Sequence, residues 1–354
     1  MRILHVITSL ATGGAEHLMV DLLPRLRDLG NEVELLVFDG TRTPFYEQLE
    51  QKGITIHSLG IGGNVYNPIN MLKLTKYIGR YDIVHTHNTA CQFFAPMAKM
   101  LRLSRTKLVT TEHSANNRRR GKWYLKPIDR WMYSHYRFII CISDQPAENL
   151  RKHIGTRESI VTIYNGVDMA RFLFPIKNIS LNETFLISQV SSFNDAKDQD
   201  TLVNAIKELP NKYRLQLAGD GLRRAKVEEL ASQLGVSTRV DFLGVRTDIP
   251  EILKASDVVV LSSHWEGLSL SSIEGMASGR PFVASDVDGL REIVQGCGIL
   301  FPHSDHRALA SAIQQLCENP QHYRDVAERC QARAKQFDIS LMAQQYNELY
   351  YSLE

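Results

Sequence analysis

No stretch of this 354-residue chain is apolar for long enough to cross a bilayer. The opening residues, MRILHVITSL, carry one basic side chain and a short apolar run that alternates like a strand, so they read as the start of a fold and not as a signal peptide. Cysteine is scarce. The five cysteines, at 91, 141, 297, 317 and 330, contain no C-x-x-C pair and leave an odd count, which argues against a disulfide framework or a zinc site and fits a reducing compartment. A cytoplasmic protein, soluble or peripheral at the inner face of a membrane, is the expectation. There is no G-x-G-x-x-G turn, which makes a nicotinamide dehydrogenase the weakest enzymatic reading. Zinc-finger spacing, RNP-like motifs and basic heptads are also missing, so nucleic acid is not an expected partner.

Net charge is small, +2, but unevenly spread. Residues 1–165 hold 22 Lys+Arg against 14 Asp+Glu, whereas residues 166–354 hold 19 against 25. A basic half beside an acidic half suggests that the first faces an anionic partner, such as a membrane surface or a phosphate-bearing acceptor. With 44% hydrophobic and 23% charged residues the chain is globular, and its length suits two domains.

Short β-branched runs recur with helical patterns between them: 3–7, 33–38, 54–59, 82–85, 107–111 and 138–142. That alternation predicts parallel βαβ units with helices on both sheet faces. Asn165-Gly166 signals a turn, and an irregular stretch with Pro175 follows as a linker. The pattern restarts at 184–190, 213–217, 240–242, 258–261, 281–284 and 298–301. Two doubly wound α/β domains are expected, 1–168 and 169–337, and a closing helix over 338–354 that packs back on the first domain. Tyr346, Leu349, Tyr350 and Leu353 form its apolar stripe.

In open α/β sheets ligands sit beyond the carboxyl ends of strands. The first such loop, Thr8 to Glu16, contains Gly13-Gly14 before a helix, where backbone N–H groups and the helix dipole attract phosphate; a bare tight turn would look the same. The richest segment runs from His264 to Ala277. It follows the apolar run 258–261, offers Gly267 for close backbone approach, and enters a helix. Ser271 and Glu274 stand at capping-box spacing, so a cap alone would account for Glu274 but not for Glu266. One carboxylate in the loop and another in the first helical turn suit the vicinal hydroxyls of a sugar or ribose.

The E-x7-E spacing of Glu266 and Glu274, followed by Gly-Met-Ala-Ser-Gly-Arg-Pro-Phe-Val-Ala-Ser-Asp, resembles the signature of the family 4 retaining glycosyltransferases. The likeness runs along nearly the whole chain, through 12–16, Val84-His85-Thr86-His87, Thr111-Glu112-His113, Ile142-Ser143, Asn165-Gly166-Val167-Asp168, Ala218-Gly219-Asp220-Gly221 and Phe242-Leu243-Gly244. It implies a GT-B fold, two Rossmann-like doubly wound domains facing an interdomain cleft. The implied activity is that of a hexosyltransferase acting without cofactor or metal on a nucleotide-diphosphate sugar, UDP- or GDP-linked, in cell-surface polysaccharide or glycolipid synthesis. Glu266 would then contact the donor sugar and Glu274 the ribose, with Gly267, Leu268 and Ser269 offering amides to the diphosphate or sugar. Gly14 would approach from the opposite domain, Gly221 would border the donor, Arg246 would lie near the base, and His113 would serve catalysis with Glu266 and Lys197.

One position departs from that family. An arginine usually stands five residues before the lysine that neutralises the leaving diphosphate; here Lys197 is present and Ser192 takes the arginine's place. A serine gives one neutral hydrogen bond and no bidentate clamp. Compensation by Arg223 or Arg246 is the first expectation; a nucleotide-binding partner subunit without turnover is the rival from another class, and an epimerase or phosphorylase the rival among enzymes. His87 and the cation–aromatic run containing Arg118, Arg119, Arg120, Lys122 and Trp123 are candidates for contact with a saccharide or lipid-linked acceptor or an anionic membrane, and a solvated charged face would look alike. The stretch 91–103 reads as added apolar surface or as core helix.

Overall fold

The computed structural model describes residues 1–11, 13–113, 122–180 and 184–354. The chain divides into two compact units, Met1–Gly166 with Ile339–Glu354, and Val167–Asp338.

The N-terminal unit contains strands β1 (Arg2–Ile7), β2 (Glu32–Val37), β3 (Thr55–Ser58), β4 (Ile83–His87), β5 (Lys107–Glu112), β6 (Phe138–Cys141) and β7 (Ile160–Thr162). They form one parallel sheet in the order β3-β2-β1-β4-β5-β6-β7. Because successive side chains alternate across a strand, each sheet face collects its own core. Leu4, Val6, Leu36, Val84, Leu108 and Ile139 pack on one face. Ile3, Ile7, Leu35, Ile83, Val109 and Ile140 pack on the other, where they meet helix Gly14–Asp28 and the closing helix Ile339–Tyr351 through Leu22, Leu26, Met342, Tyr346 and Tyr350. The closing helix is also tied by Asn31 Nδ2, which donates to Asn347 Oδ1 at 2.7 Å.

The second unit holds β8 (Phe185–Val190), β9 (Tyr213–Ala218), β10 (Val240–Gly244), β11 (Val258–Leu261), β12 (Phe282–Ser285) and β13 (Ile299–Phe301). All pairings are again parallel, in the order β10-β9-β8-β11-β12-β13. The Val-Val-Val-Leu run of β11 is buried throughout, as a central strand covered on both faces requires. Its helices start on local signals: Asp305 accepts from the amides of Arg307 and Ala308, and Asn319 accepts from His322 ahead of a helix with Pro320 at its first position.

Both sheets are thus doubly wound, as the alternation of runs predicts. β7 is the strand that this alternation does not reveal; it is three residues long and sits at the sheet edge. In each sheet the order reverses once, between β1 and β4 in the first unit and between β8 and β11 in the second. Chain leaving those strands departs in opposite directions and opens a crevice at their carboxyl ends.

Candidate active site

At the reversal point of the second unit, the loop after β8 carries Ser191 to Asp198 and the loop after β11 carries Ser262 to Ser269. The two loops are stitched by a bridge between Lys197 and Ser263, and the amide of His264 donates to the carbonyl of Ala196 at 2.8 Å. Above that stitch Lys197 Nζ forms an ion pair with Glu266 Oε2, which Ser263 Oγ also approaches at 3.4 Å. The side chains are 11% and 16% exposed, so this is a charge pair screened from most solvent and reachable by a ligand. The sequence separates these residues by 69 positions; the fold makes them neighbours.

Helix Leu270–Ala277 follows directly. Its N-cap is Ser269, whose side chain makes no capping bond, so the capping box at Ser271 and Glu274 does not form. Glu274 stands in the second turn and not the first, and is buried. Leu268 is buried, and a Cβ on Gly267 would meet nothing within 4 Å. The helix start thus presents amides that no Ser269 side chain covers, beside a glycine with open space over it, which suits an anion.

Gly221 is a backbone position before it is anything else. At φ +151° its Cβ would lie 2.3 Å from the Phe193 carbonyl, and a Cβ on Gly219 would lie 2.0 Å from that of Ser191. These glycines let the loop after β9 lie against the loop after β8. Ser192 is exposed at this contact, with Oγ accepting from Asn194 Nδ2 at 2.9 Å. The two cations expected to replace the missing arginine differ. Arg246 is tied to Asp248 by two bonds of 2.8 and 2.5 Å. Arg223 donates its amide to the Phe193 carbonyl, pairs with Asp200 at 2.5 Å, and keeps a buried Nε with no partner.

Gly289 escaped the sequence reading altogether. It opens helix Asp288–Val294, and a Cβ there would lie 2.3 Å from the Glu266 carbonyl and 2.7 Å from that of Gly267. A glycine one residue into a helix after β12 was the available signal.

In the first unit, the loop after β1 leads to helix Gly14–Asp28, whose N-cap Gly13 is in extended backbone. A Cβ on Gly13 would strike Glu16 Oε2 at 2.3 Å, whereas Gly14 has open space. Burial pushes the Glu16 carboxyl up, against hydrogen bonds from its own amide and from Asn88 that pull it down. Asn88 holds φ +67° at the end of β4 and donates Nδ2 to Thr8 Oγ1 at 3.0 Å, which fixes the two loops of that reversal point together.

His113 follows β5 and is partly exposed. Its Nε2 lies 2.9 Å from His87 Nδ1. His87 itself is fully buried, with its other nitrogen 3.0 Å from His5 Nδ1, so it supports His113 from beneath and does not reach an acceptor directly. Burial pulls His113 down to about 4 and His5 to about 3, and His85 and His87 fall well below the ordinary range, first by burial and then by neighbouring imidazoles. These rings are neutral at physiological pH.

Lys122 and Trp123 are exposed, Trp123 at 81%, with Tyr124 and Ile128 beside them in sequence; Arg118, Arg119 and Arg120 lie outside the described residues. The stretch 91–103 is core at Cys91, Ala95 and Ala98 and surface at Met100, Leu101 and Leu103. Among the described residues no helix is long and apolar enough to cross a membrane. Two groups of described side chains have ligand atoms close enough for a metal ion, His5/His85/His87 and Asp198/His264/His303. The first is buried and its nitrogens are matched to one another and to hydroxyls. In the second, Asp198 already accepts from Thr201 and Ser304.

Known proteins resemble this chain. The family profile described as Glycosyltransferase Family 4 matches residues 12–171, and that described as Glycosyl transferases group 1 matches residues 172–336. The lipopolysaccharide core biosynthesis glycosyltransferase LpsD of Rhizobium meliloti is 27% identical over 331 residues, 90% of this chain and 89% of the relative. The UDP-Gal:alpha-D-GlcNAc-diphosphoundecaprenol alpha-1,3-galactosyltransferase of Escherichia coli is 27% identical over 272 residues, 71% of this chain and 70% of the relative. Among solved structures, Anabaena HepE in complex with UDP-glucose has a TM-score of 0.87 at 24% identity, covering 99% of this chain and 100% of that one.

Proposed function

The chain belongs to glycosyltransferase family 4 (group 1) and is a glycosyltransferase of GT-B fold, and on that premise we propose that its donor is a UDP-linked sugar. The sugar passes to an acceptor hydroxyl with retention of anomeric configuration, in assembly of a cell-surface polysaccharide or glycolipid. The observation that carries a nucleotide-diphosphate sugar as donor is the Lys197–Glu266 pair at the reversal point of the second sheet, beside the buried Glu274 and the open backbone at Gly267, and the UDP-galactose transferase among the relatives supports uracil as the base. One cation for a diphosphate, one carboxylate for sugar hydroxyls and one for ribose stand on two loops and the helix that follows.

The division of labour follows from chemistry. Negative charge grows on the departing diphosphate, and Lys197 with the amides at the start of helix Leu270–Ala277 stabilises it. Arg223, whose amide donates to the Phe193 carbonyl of the loop that carries Ser192, is the candidate for the place left by the arginine; it pairs with Asp200 as Arg246 pairs with Asp248. Neutralisation by these groups removes the need for a metal ion. His113, in the N-terminal unit, is the candidate for contact with the acceptor. The basic balance of that unit and the exposed Trp123, Tyr124 and Ile128 beside Lys122 and Lys126 suit an anionic membrane surface and a lipid-linked acceptor.

A panel of UDP-, GDP- and ADP-sugars tests the donor by thermal shift. Binding at a hundred times Kd adds about 2.7 kcal/mol to the native state. Stabilisation by UDP-sugars that Glu274→Ala abolishes is the expected result. Equal response to all three bases, or none in the native chain, would sink the assignment.

A further inference from the structure

Within the N-terminal unit, four imidazoles and three hydroxyls form one continuous series of hydrogen bonds that ends at His113. His113 Nε2 lies 2.9 Å from His87 Nδ1, and His87 Nε2 lies 3.0 Å from His5 Nδ1. His5 Nε2 is 3.5 Å from the Tyr350 hydroxyl, which is 2.5 Å from His85 Nδ1. His85 Nε2 lies 2.8 Å from Thr111 Oγ1, and Thr111 Oγ1 lies 3.1 Å from the Tyr346 hydroxyl. The fold explains the convergence. His5 pairs with His85 and His87 with Thr111 across adjacent strands, so all point to one sheet face, and Tyr346 and Tyr350 stand four apart on the helix that covers it.

A neutral imidazole carries one N–H, so each ring that donates at one nitrogen must accept at the other. Each imidazole therefore passes one orientation along, and each buried hydroxyl does so as well because its own proton needs an acceptor. The far end selects it. Among the described residues the Tyr346 hydroxyl meets only Thr111 Oγ1. If Thr111 donated to Tyr346, the phenolic proton would be buried without an acceptor, an expensive arrangement. Tyr346 therefore donates to Thr111, Thr111 to His85 Nε2, His85 Nδ1 to Tyr350, Tyr350 to His5 Nε2, His5 Nδ1 to His87 Nε2, and His87 Nδ1 to His113 Nε2. The long Tyr350–His5 link holds for the same reason, since the Tyr350 proton has no other acceptor in the series.

We infer that this series locks His113 with its proton on Nδ1, so that it presents a hydrogen-bond donor to a substrate oxygen and not a base, with Tyr346 and Tyr350 of the closing helix as positioning residues. His113 Nδ1 has no partner among the described residues, and the ring is partly exposed. The consequence for the reaction rests on the transferase reading. The acceptor oxygen bonds to the anomeric carbon, the bond from that carbon to the diphosphate breaks, and its electron pair leaves on the phosphate oxygen. With no lone pair free, His113 does not take the acceptor proton, which passes to that departing oxygen.

Long-range proton–nitrogen correlation on the full chain with nitrogen-labelled histidine reads each tautomer directly. The expected spectrum places the proton on Nδ1 in His5, His85, His87 and His113, the form that free histidine disfavours. Tyr346→Phe combined with Thr111→Val removes both hydroxyl protons that set the far end; it should give His113 a mixed tautomer and lower kcat about tenfold, the worth of one orienting hydrogen bond, with KM little changed. An Nε2 proton on His113 in the native chain overturns the inference, as does a Tyr346→Phe/Thr111→Val protein whose four tautomers are unchanged. Should that variant not fold, the native spectrum still decides the orientation. A chain with the four Nδ1 tautomers but no sugar transfer would refute the transferase reading alone.

Discussion

Acid should destabilise the N-terminal unit. His5 is fully buried, and burial holds it at about 3 in the folded chain against the ordinary 6.5. Below pH 6.5 the unfolded chain takes up a proton that the folded chain refuses, so stability falls as pH falls. Between pH ~7.5 and ~5 this costs about 2 kcal/mol for His5 alone, from about 1.36 kcal/mol per unit over roughly 1.5 units. For a unit of this size that is a fall of ~4–8 °C in Tm. His85 and His87 are shifted in the same direction and deepen the loss. Glu16, pushed up by burial, acts the other way. Differential scanning fluorimetry across this range measures the slope, and His5→Gln, which has no proton to take up, should flatten it by up to one proton. A Tm that is flat or rises on acidification would refute the claim that these rings are buried and neutral.

Four further outcomes follow from the second unit and the surface. Gly289→Ala drives a methyl into the Glu266 and Gly267 carbonyls and should raise donor Kd while lowering Tm, an overpacking cost of about 1–3 kcal/mol; calorimetry with a UDP-sugar and a melting curve check both. Lys197→Met should reduce kcat by roughly 10²–10³ while donor still binds, as removal of a charge that acts on the leaving group requires; an unchanged kcat would contradict it. Arg223→Ala should weaken diphosphate binding more than Arg246→Ala, and Ser192→Arg should restore part of the loss, measured as UDP inhibition constants. Trp123→Ala with Lys122→Glu should reduce sedimentation with anionic vesicles and leave transfer to a soluble acceptor unchanged; undiminished sedimentation would remove that surface from the account.

Much of this architecture is legible in the chain because parallel sheets write themselves as repeated β-branched runs. Every strand except β7 announces itself in that way, and β7 fails for its shortness. The loops of the candidate site are legible for a related reason: a reversal point puts the candidate residues directly after strands, and Glu266 and Glu274 are close in sequence. The capping box at Ser271 and Glu274 does not form because the spacing is right but the helix is capped two residues earlier, at Ser269. Gly289 is silent because its partner is the backbone of a loop more than twenty residues away. The histidine–tyrosine series is the least legible feature. His85 and Tyr350 are separated by 265 residues, and only the strand register with the return of the closing helix brings them together. His87 reads as a candidate for acceptor or membrane contact for the same reason; the sequence shows a histidine at the end of an apolar strand but not the rings on either side of it.

The most direct test of the central claim is a quantitative assay of UDP release and sugar transfer by the native chain and by Glu266→Gln, with product identified by mass and anomeric configuration by NMR. The account predicts one UDP per sugar transferred, a retained anomeric centre, and turnover lowered by about 10²-fold or more in Glu266→Gln with donor binding kept. Nucleotide binding without UDP release, release of an epimerised sugar nucleotide in place of a transfer product, or native turnover in Glu266→Gln would contradict it.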